Sequence, residues 1–147
     1  MIVKFGLDTS CLVSLLSAGH ALHLTTRQAY ATRRDNAEQP VIPLPAILET
    51  FSVLTRSPAP LFVPPAQVRE MLIENFFEVA EIPDMTANRC WATLDELSAR
   101  SIGGGLLYDA IIAQSCYEAG AKLLLTWNVR DFLRVAPPAL EVRQPKV

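Results

Sequence analysis

Short apolar runs bounded by polar or turn-forming residues recur along the chain, and longer stretches of helical periodicity lie between them. Residues 2–7 form one such run, ended by Asp8-Thr9-Ser10. That pattern predicts a buried strand and then a capped helix over about residues 10–17. A more polar helix is predicted for residues 22–36, and residues 41–44 read as a second short strand. Pro45 suits the first turn of a helix reaching Leu54, whose core stripe is read as Ile47, Leu48, Phe51 and Leu54. Further helices are expected over residues 66–77 and 84–101, the second with Asp84 as N-cap. Gly103-Gly104-Gly105 interrupts the chain, after which an apolar helix over residues 107–118 stops before Gly120. Residues 122–126 and 140–143 read as the last two strands.

Short apolar strands alternating with helices predict an α/β fold, with a parallel sheet covered by helices. In such sheets ligands bind beyond the carboxyl ends of the strands, so chemistry is to be sought there. No repeat, low-complexity tract or linker divides the 147 residues, and a single domain over residues 1–147 is expected. Proline clusters at 40–45, 58–65 and 137–138 punctuate loops between elements.

Half of the residues are hydrophobic and 19% are charged, a globular composition. The net charge of −2 repels phosphate overall, so a nucleic-acid partner needs local basic groups or bound cations. Cys11, Cys90 and Cys116 are widely spaced with no C-x-x-C, which argues against a disulfide framework or a zinc site. No stretch approaches the roughly 20 apolar residues of a membrane span, and no signal peptide is apparent, so a soluble, cytoplasmic protein is expected.

Acidic residues stand where the sheet rule directs attention. Asp8 directly follows the first strand, where it would also serve as an N-cap. Glu49 lies on the helix after the second strand and borders its apolar stripe; alone, such a residue is an ordinary solvated glutamate. Asp109 shares a stripe with Ile112, Ala113 and Cys116, which turns its carboxylate toward an apolar side. Burying a lone carboxylate costs several kcal/mol unless a cation or donors pair it. A first-turn aspartate favoured by the helix dipole is the bland alternative. The polar cluster Thr126-Trp127-Asn128-Val129-Arg130-Asp131 follows the third strand, as an ordinary turn would. Acidic groups converging without His or Cys partners describe a hard oxygen-ligand site suited to Mg²⁺ or Mn²⁺. Such ions activate water for displacement at phosphorus and reverse the local charge.

At these residues the chain resembles the PIN-domain nucleases, and among them the VapC-like ribonuclease toxins. The matching pieces are Leu7-Asp8-Thr9-Ser10-Cys11-Leu12-Val13, Ile47-Leu48-Glu49-Thr50-Phe51-Ser52-Val53-Leu54, the segment from Gly103 to Ala113, and the segment from Leu124 to Phe132. They follow the family's order and spacing over nearly the whole chain. The resemblance implies a three-layer PIN-like fold with a parallel sheet of four to five strands, and a Mg²⁺- or Mn²⁺-dependent endoribonuclease. It implies an acidic quartet of Asp8, Glu49, Asp109 and Asp131. Asp8 and Asp109 would ligate metal directly, and Glu49 and Asp131 would do so directly or through water. Thr126 and Asn128 would hold the ligands and waters in place. It further implies a homodimer and a cognate antitoxin whose tail blocks the acidic groove.

Arg27, Tyr30 and Arg34 fall on one helix face with Arg33 beside them, readable as a phosphate-tracking surface, a solvated face or an antitoxin contact. Arg56 and Arg130 are candidates for contacting RNA phosphate. His20 and His23 lack partners at metal-ligand spacing and read as structural, while Trp91, Trp127 and Phe76-Phe77 read as packing residues, some of them at a dimer interface. The glycine triplet lacks a P-loop lysine. A phosphatase using Asp8 as nucleophile would want a second aspartate at position 10, where Ser10 stands. A catalytically silent RNA- or antitoxin-binding module is the remaining alternative, against which the intact quartet argues.

Overall fold

A computed structural model describes residues 1–146. Its strands are β1 (Lys4–Leu7), β2 (Gln39–Val41), β3 (Leu123–Leu125) and β4 (Glu141–Arg143), in the sheet order β2-β1-β3-β4. All neighbours are parallel, with Phe5 opposite both Pro40 and Leu123, and Leu7 opposite Leu125. The helices are α1 (Thr9–Leu16), α2 (His23–Asp35), α3 (Leu44–Arg56), α4 (Pro65–Leu72), α5 (Ala87–Ala99), α6 (Leu106–Glu118) and α7 (Val129–Leu133). A π-helical turn, Ile73–Phe77, continues α4. Helices therefore flank a four-stranded parallel sheet, the α/β arrangement that the alternation of elements predicts.

The buried strand residues Phe5, Leu7, Leu123, Leu124 and Leu125 meet Leu12, Ile42, Leu54, Ile112, Phe76 and Phe132 in one core. Strands buried on both faces must be apolar at consecutive positions, which is why they appear as runs and not as alternation. Among the described residues no helix is long and apolar enough to cross a membrane.

Several boundaries differ from the sequence expectation. β2 lies at Gln39–Val41 and not at residues 41–44, because Pro43 already caps α3 at φ −59° and lacks an N–H for a ladder. The N-cap of α5 is Thr86, whose hydroxyl accepts from Arg89 N at 3.2 Å; Asp84 lies upstream and offers only its carbonyl, to the Arg89 guanidinium. The stripe of α3 is also corrected. Ala46, Thr50 and Leu54 face the core, while Leu48 and Phe51 are 58% and 38% exposed. The buried Thr50 hydroxyl bonds Ala46 O at 2.7 Å, so a polar residue occupies a core position without an orphaned donor. Trp91 and Phe77 are exposed and do not pack in the core of the single chain, whereas Phe76 is buried. The short α7 was not anticipated, since five residues are too few to display a helical period.

Gly6 sets how closely α6 approaches β1. A Cβ there would stand 2.6 Å from Cys116 Sγ and 3.0 Å from Leu124 Cδ1. Gly6→Ala is expected to destabilise the fold by roughly 1–3 kcal/mol, the usual range for overpacking. Thermal denaturation checks this, and an unchanged melting temperature would refute the close-approach argument.

Candidate active site

Leu7 and Leu125 are partners in register, so the residues that follow them, Asp8 and Thr126, emerge side by side at the carboxyl end of the sheet. The Thr126 hydroxyl donates to Asp8 Oδ2 at 2.6 Å. Ser10 Oγ lies 2.7 and 3.0 Å from the two carboxylate oxygens, and Cys11 N donates to Oδ1 at 3.0 Å. Asp8 is thus the N-cap of α1 and also part of a cleft wall; the bland reading and the chemical one describe the same carboxylate. It is 2% exposed, and burial pushes its carboxyl above the usual range despite the donors around it. Ser10 Oγ in turn accepts from Trp127 N at 3.0 Å, and Thr126 Oγ1 accepts from Asn128 N at 2.9 Å. The loop after β3 is therefore tied to the Asp8 turn by its backbone.

Asp8, Glu49 and Asp109 line a common cleft of about 380 Å³ with Thr9, Ser10, His20, Trp127 and Asn128, over an apolar floor that includes Ile112 and Phe132. Glu49, exposed on α3, accepts a 2.5 Å hydrogen bond from Thr9 Oγ1. Asp109 is half-buried in the first turn of α6, and its carboxyl is pushed up to about 6. Burial is the largest cause, followed by the negative charges of Asp8, Asp131 and Glu49. Asp131, exposed on α7, does not line the cleft, yet its charge reaches Asp109. Four carboxylates carried by four different segments thus act on one place. Among the described residues no three His, Cys, Asp or Glu side chains are close enough together to hold a metal ion, although Asp8, Glu49 and Asp109 line one cleft.

The sequence-predicted arginines are elsewhere. Arg56 and Arg130 are exposed and do not line the cleft. Arg27 and Arg34 line a separate groove with His23, Tyr30 and Asn75, and Arg34 donates to Glu38 O at 2.7 Å. Two cleft residues had been read as structural. His20 sits on the cleft wall, its Nδ1 accepting from Leu22 N at 3.0 Å. Trp127 packs against the core, as expected, and also lines the wall beside Asn128. No spacing pattern marks His20, whereas Trp127 lay within the polar cluster after β3 and could have been found there.

Thr126→Val preserves shape and removes the shortest donor to Asp8. It is expected to cost about 1–3 kcal/mol, because a buried carboxylate loses a partner. Chemical denaturation at pH 7 checks this, and a loss below a few tenths would sink the idea that the hydroxyl steadies Asp8.

The sequence profile of the PIN domain matches residues 6–137, a span that holds all four acidic positions. The chain belongs to the PIN-domain family. Among its relatives, ribonuclease VapC27 of Mycobacterium tuberculosis is 32% identical over 117 residues, covering 79% of each chain. This PIN domain also shares its fold with solved structures. The crystal structure of Mycobacterium tuberculosis VapC20, a sarcin-ricin loop cleaving toxin, aligns with a TM-score of 0.72 at 15% identity, over 90% of this chain and 96% of that one. VapBC2 from Rickettsia felis, bound to a DNA fragment from its promoter, aligns at 0.68 and 20% identity, over 97% and 98%.

Proposed function

We propose that this PIN domain is an endoribonuclease that hydrolyses RNA phosphodiester bonds with a divalent cation, and that it acts as the toxin of a toxin–antitoxin pair. The single observation that carries the chemistry is the cleft that Asp8, Glu49 and Asp109 line together, with the charge of Asp131 reaching Asp109 as well. Like charges gathered in one cleft are unfavourable by themselves and become favourable around a cation. The ligands proposed for it are all carboxylates, which fit Mg²⁺ or Mn²⁺ by their hardness.

Asp8 and Asp109 would hold the ion, with Glu49 and Asp131 supporting it. When bound, the ion supplies an activated water and offsets charge developing at phosphorus. The chain's own part is positional. Thr126, Ser10 and the Cys11 amide hold the Asp8 carboxylate in one orientation, and Thr9 holds Glu49. Asn128, exposed on the cleft wall, would orient a water or phosphate oxygen. Attack by water at phosphorus with O3′ as the leaving group would give 5′-phosphate and 3′-hydroxyl ends, with no need for the 2′-hydroxyl as nucleophile.

The names of VapC27 and of the VapBC complexes support the ribonuclease and antitoxin assignments. An apolar groove lined by Pro45, Leu48, Met85 and Tyr108 meets the acidic cleft at Glu49 and suits a blocking antitoxin segment. A homodimer belongs to the same reading.

The test is cleavage of a labelled structured RNA with Mg²⁺, Mn²⁺ or chelator, beside Asp8→Asn. Metal-dependent cuts with 5′-phosphate ends, lost in the variant, are expected. Cutting that survives chelation, or survives in Asp8→Asn, would overturn the assignment.

A further inference from the structure

We propose that the indole of Trp127 is the surface on which a base of the RNA substrate stacks, holding one nucleotide beside the acidic cleft. This rests on the ribonuclease reading and extends it to how substrate is held. Besides the small imidazole of His20, two aromatic rings line the cleft, Trp127 and Phe132. Phe132 is 1% exposed and has no free face to offer, whereas Trp127 is only partly buried.

The pose of Trp127 is fixed from two sides. Its Nε1–H donates to Thr26 Oγ1 at 3.0 Å, and Thr26 is 1% exposed, with its hydroxyl donating to Leu22 O at 2.9 Å and lying 2.8 Å from Ser14 Oγ. Its backbone N–H donates to Ser10 Oγ, which also holds Asp8. The ring is therefore set at a constant distance from the carboxylate that anchors the chemistry. With the N–H already satisfied inside the protein, whatever this half-buried residue leaves open on its ring would be π-surface or apolar edge. Such a surface takes any base by stacking. A ring ordered beforehand loses little side-chain freedom on binding, so more of the stacking energy appears as affinity.

Packing against the core is the competing account of Trp127, and the test separates the two. The sequence holds two tryptophans, so Trp91→Phe leaves Trp127 as the only indole. In that background, rapid mixing with a single-stranded RNA oligonucleotide and Mg²⁺ is expected to quench Trp127 emission before cutting. Trp127→Leu is expected to raise KM by about 5- to 150-fold, the range for loss of one stacked base, with kcat changed far less. Trp127→Phe is expected to restore most of that loss at a matched melting temperature. A leucine variant as good as phenylalanine, or RNA binding that leaves the emission unchanged, would overturn the proposal. In either case an Asp109→Asn protein that no longer cuts would leave the ribonuclease reading standing. Wild-type protein that neither binds nor cuts RNA would remove both.

Discussion

Asp109→Asn is expected to lower metal-dependent RNA cleavage by on the order of a thousandfold while making the metal-free protein more stable at neutral pH. The loss follows from the several kcal/mol that a correctly held cation supplies to charge stabilisation, at 1.36 kcal/mol per factor of ten. The gain follows from the raised carboxyl of Asp109. A group held at about 6 in the folded chain and at 3.8 in the unfolded one favours folding fully below pH 4. That contribution is lost as pH climbs through 6, so at pH 7 the ionised Asp109 works against the fold.

A shift of about two units would be worth roughly 3 kcal/mol for a fully enclosed group. Asp109 is about half open to solvent, and screening reduces the effect to about 1 kcal/mol. Asp8, raised by burial, has the same sign. Melting temperatures in chelator at pH 4.5 and 7.5 check the argument. The variant should gain on the wild type more at the higher pH than at the lower, and Mg²⁺ should close the gap. A variant less stable than the wild type at both pH values would show that Asp109 is a structural residue. Function and stability oppose each other at this carboxylate, as is usual where like charges are gathered for catalysis.

Phe5→Ala is expected to cost about 3–5 kcal/mol, a large part of the roughly 5–15 kcal/mol that holds a domain of this size together. Phe5 is fully buried on β1, the strand that pairs with both β2 and β3. Its ring meets Tyr30 edge-on at 6.1 Å, and Tyr30 meets Phe76 at 6.2 Å. The Arg33 guanidinium stands 5.6 Å over Phe5 and is itself paired with Glu38 at 2.9 Å. Removing the ring opens a cavity that these neighbours, fixed in α2 and the π-helical turn, can fill only in part. Urea unfolding followed by circular dichroism measures the loss. A change under about 1 kcal/mol would mean that the site collapses freely and that the aromatic chain adds little.

The expectation for Asp109 was legible because helix periodicity converts sequence spacing into direction. Ile112, Ala113 and Cys116 are buried, and the residue three positions ahead of Ile112 had to point with them. The same reasoning failed on α3. There apolar residues occupy more than one face, and a stripe chosen by hydrophobicity selected Leu48 and Phe51 over Ala46 and Thr50. Small and hydroxylated residues can sit in a core when the neighbouring helix comes close, which the chain pattern of α3 alone does not reveal. Capping at α5 was open for a similar local reason, with Asp84 and Thr86 two residues apart and both competent.

By itself the sequence determined the alternation of strands and helices, the carboxylate chemistry of the candidate positions and the place of Asp8 after a buried strand. These depend on interactions within a few residues, or on residue chemistry, and need no knowledge of neighbours. Only the tertiary structure decided that Thr126 would donate to Asp8 across 118 positions, and that α6 would press on Gly6 closely enough to bring Asp109 under the charges of three other segments. It alone turned His20 and Trp127 toward the acids and left Arg27 and Arg34 in another groove. Strand register and helix approach distance are set by packing among residues far apart in the chain, and those contacts leave no period or spacing in the sequence to read.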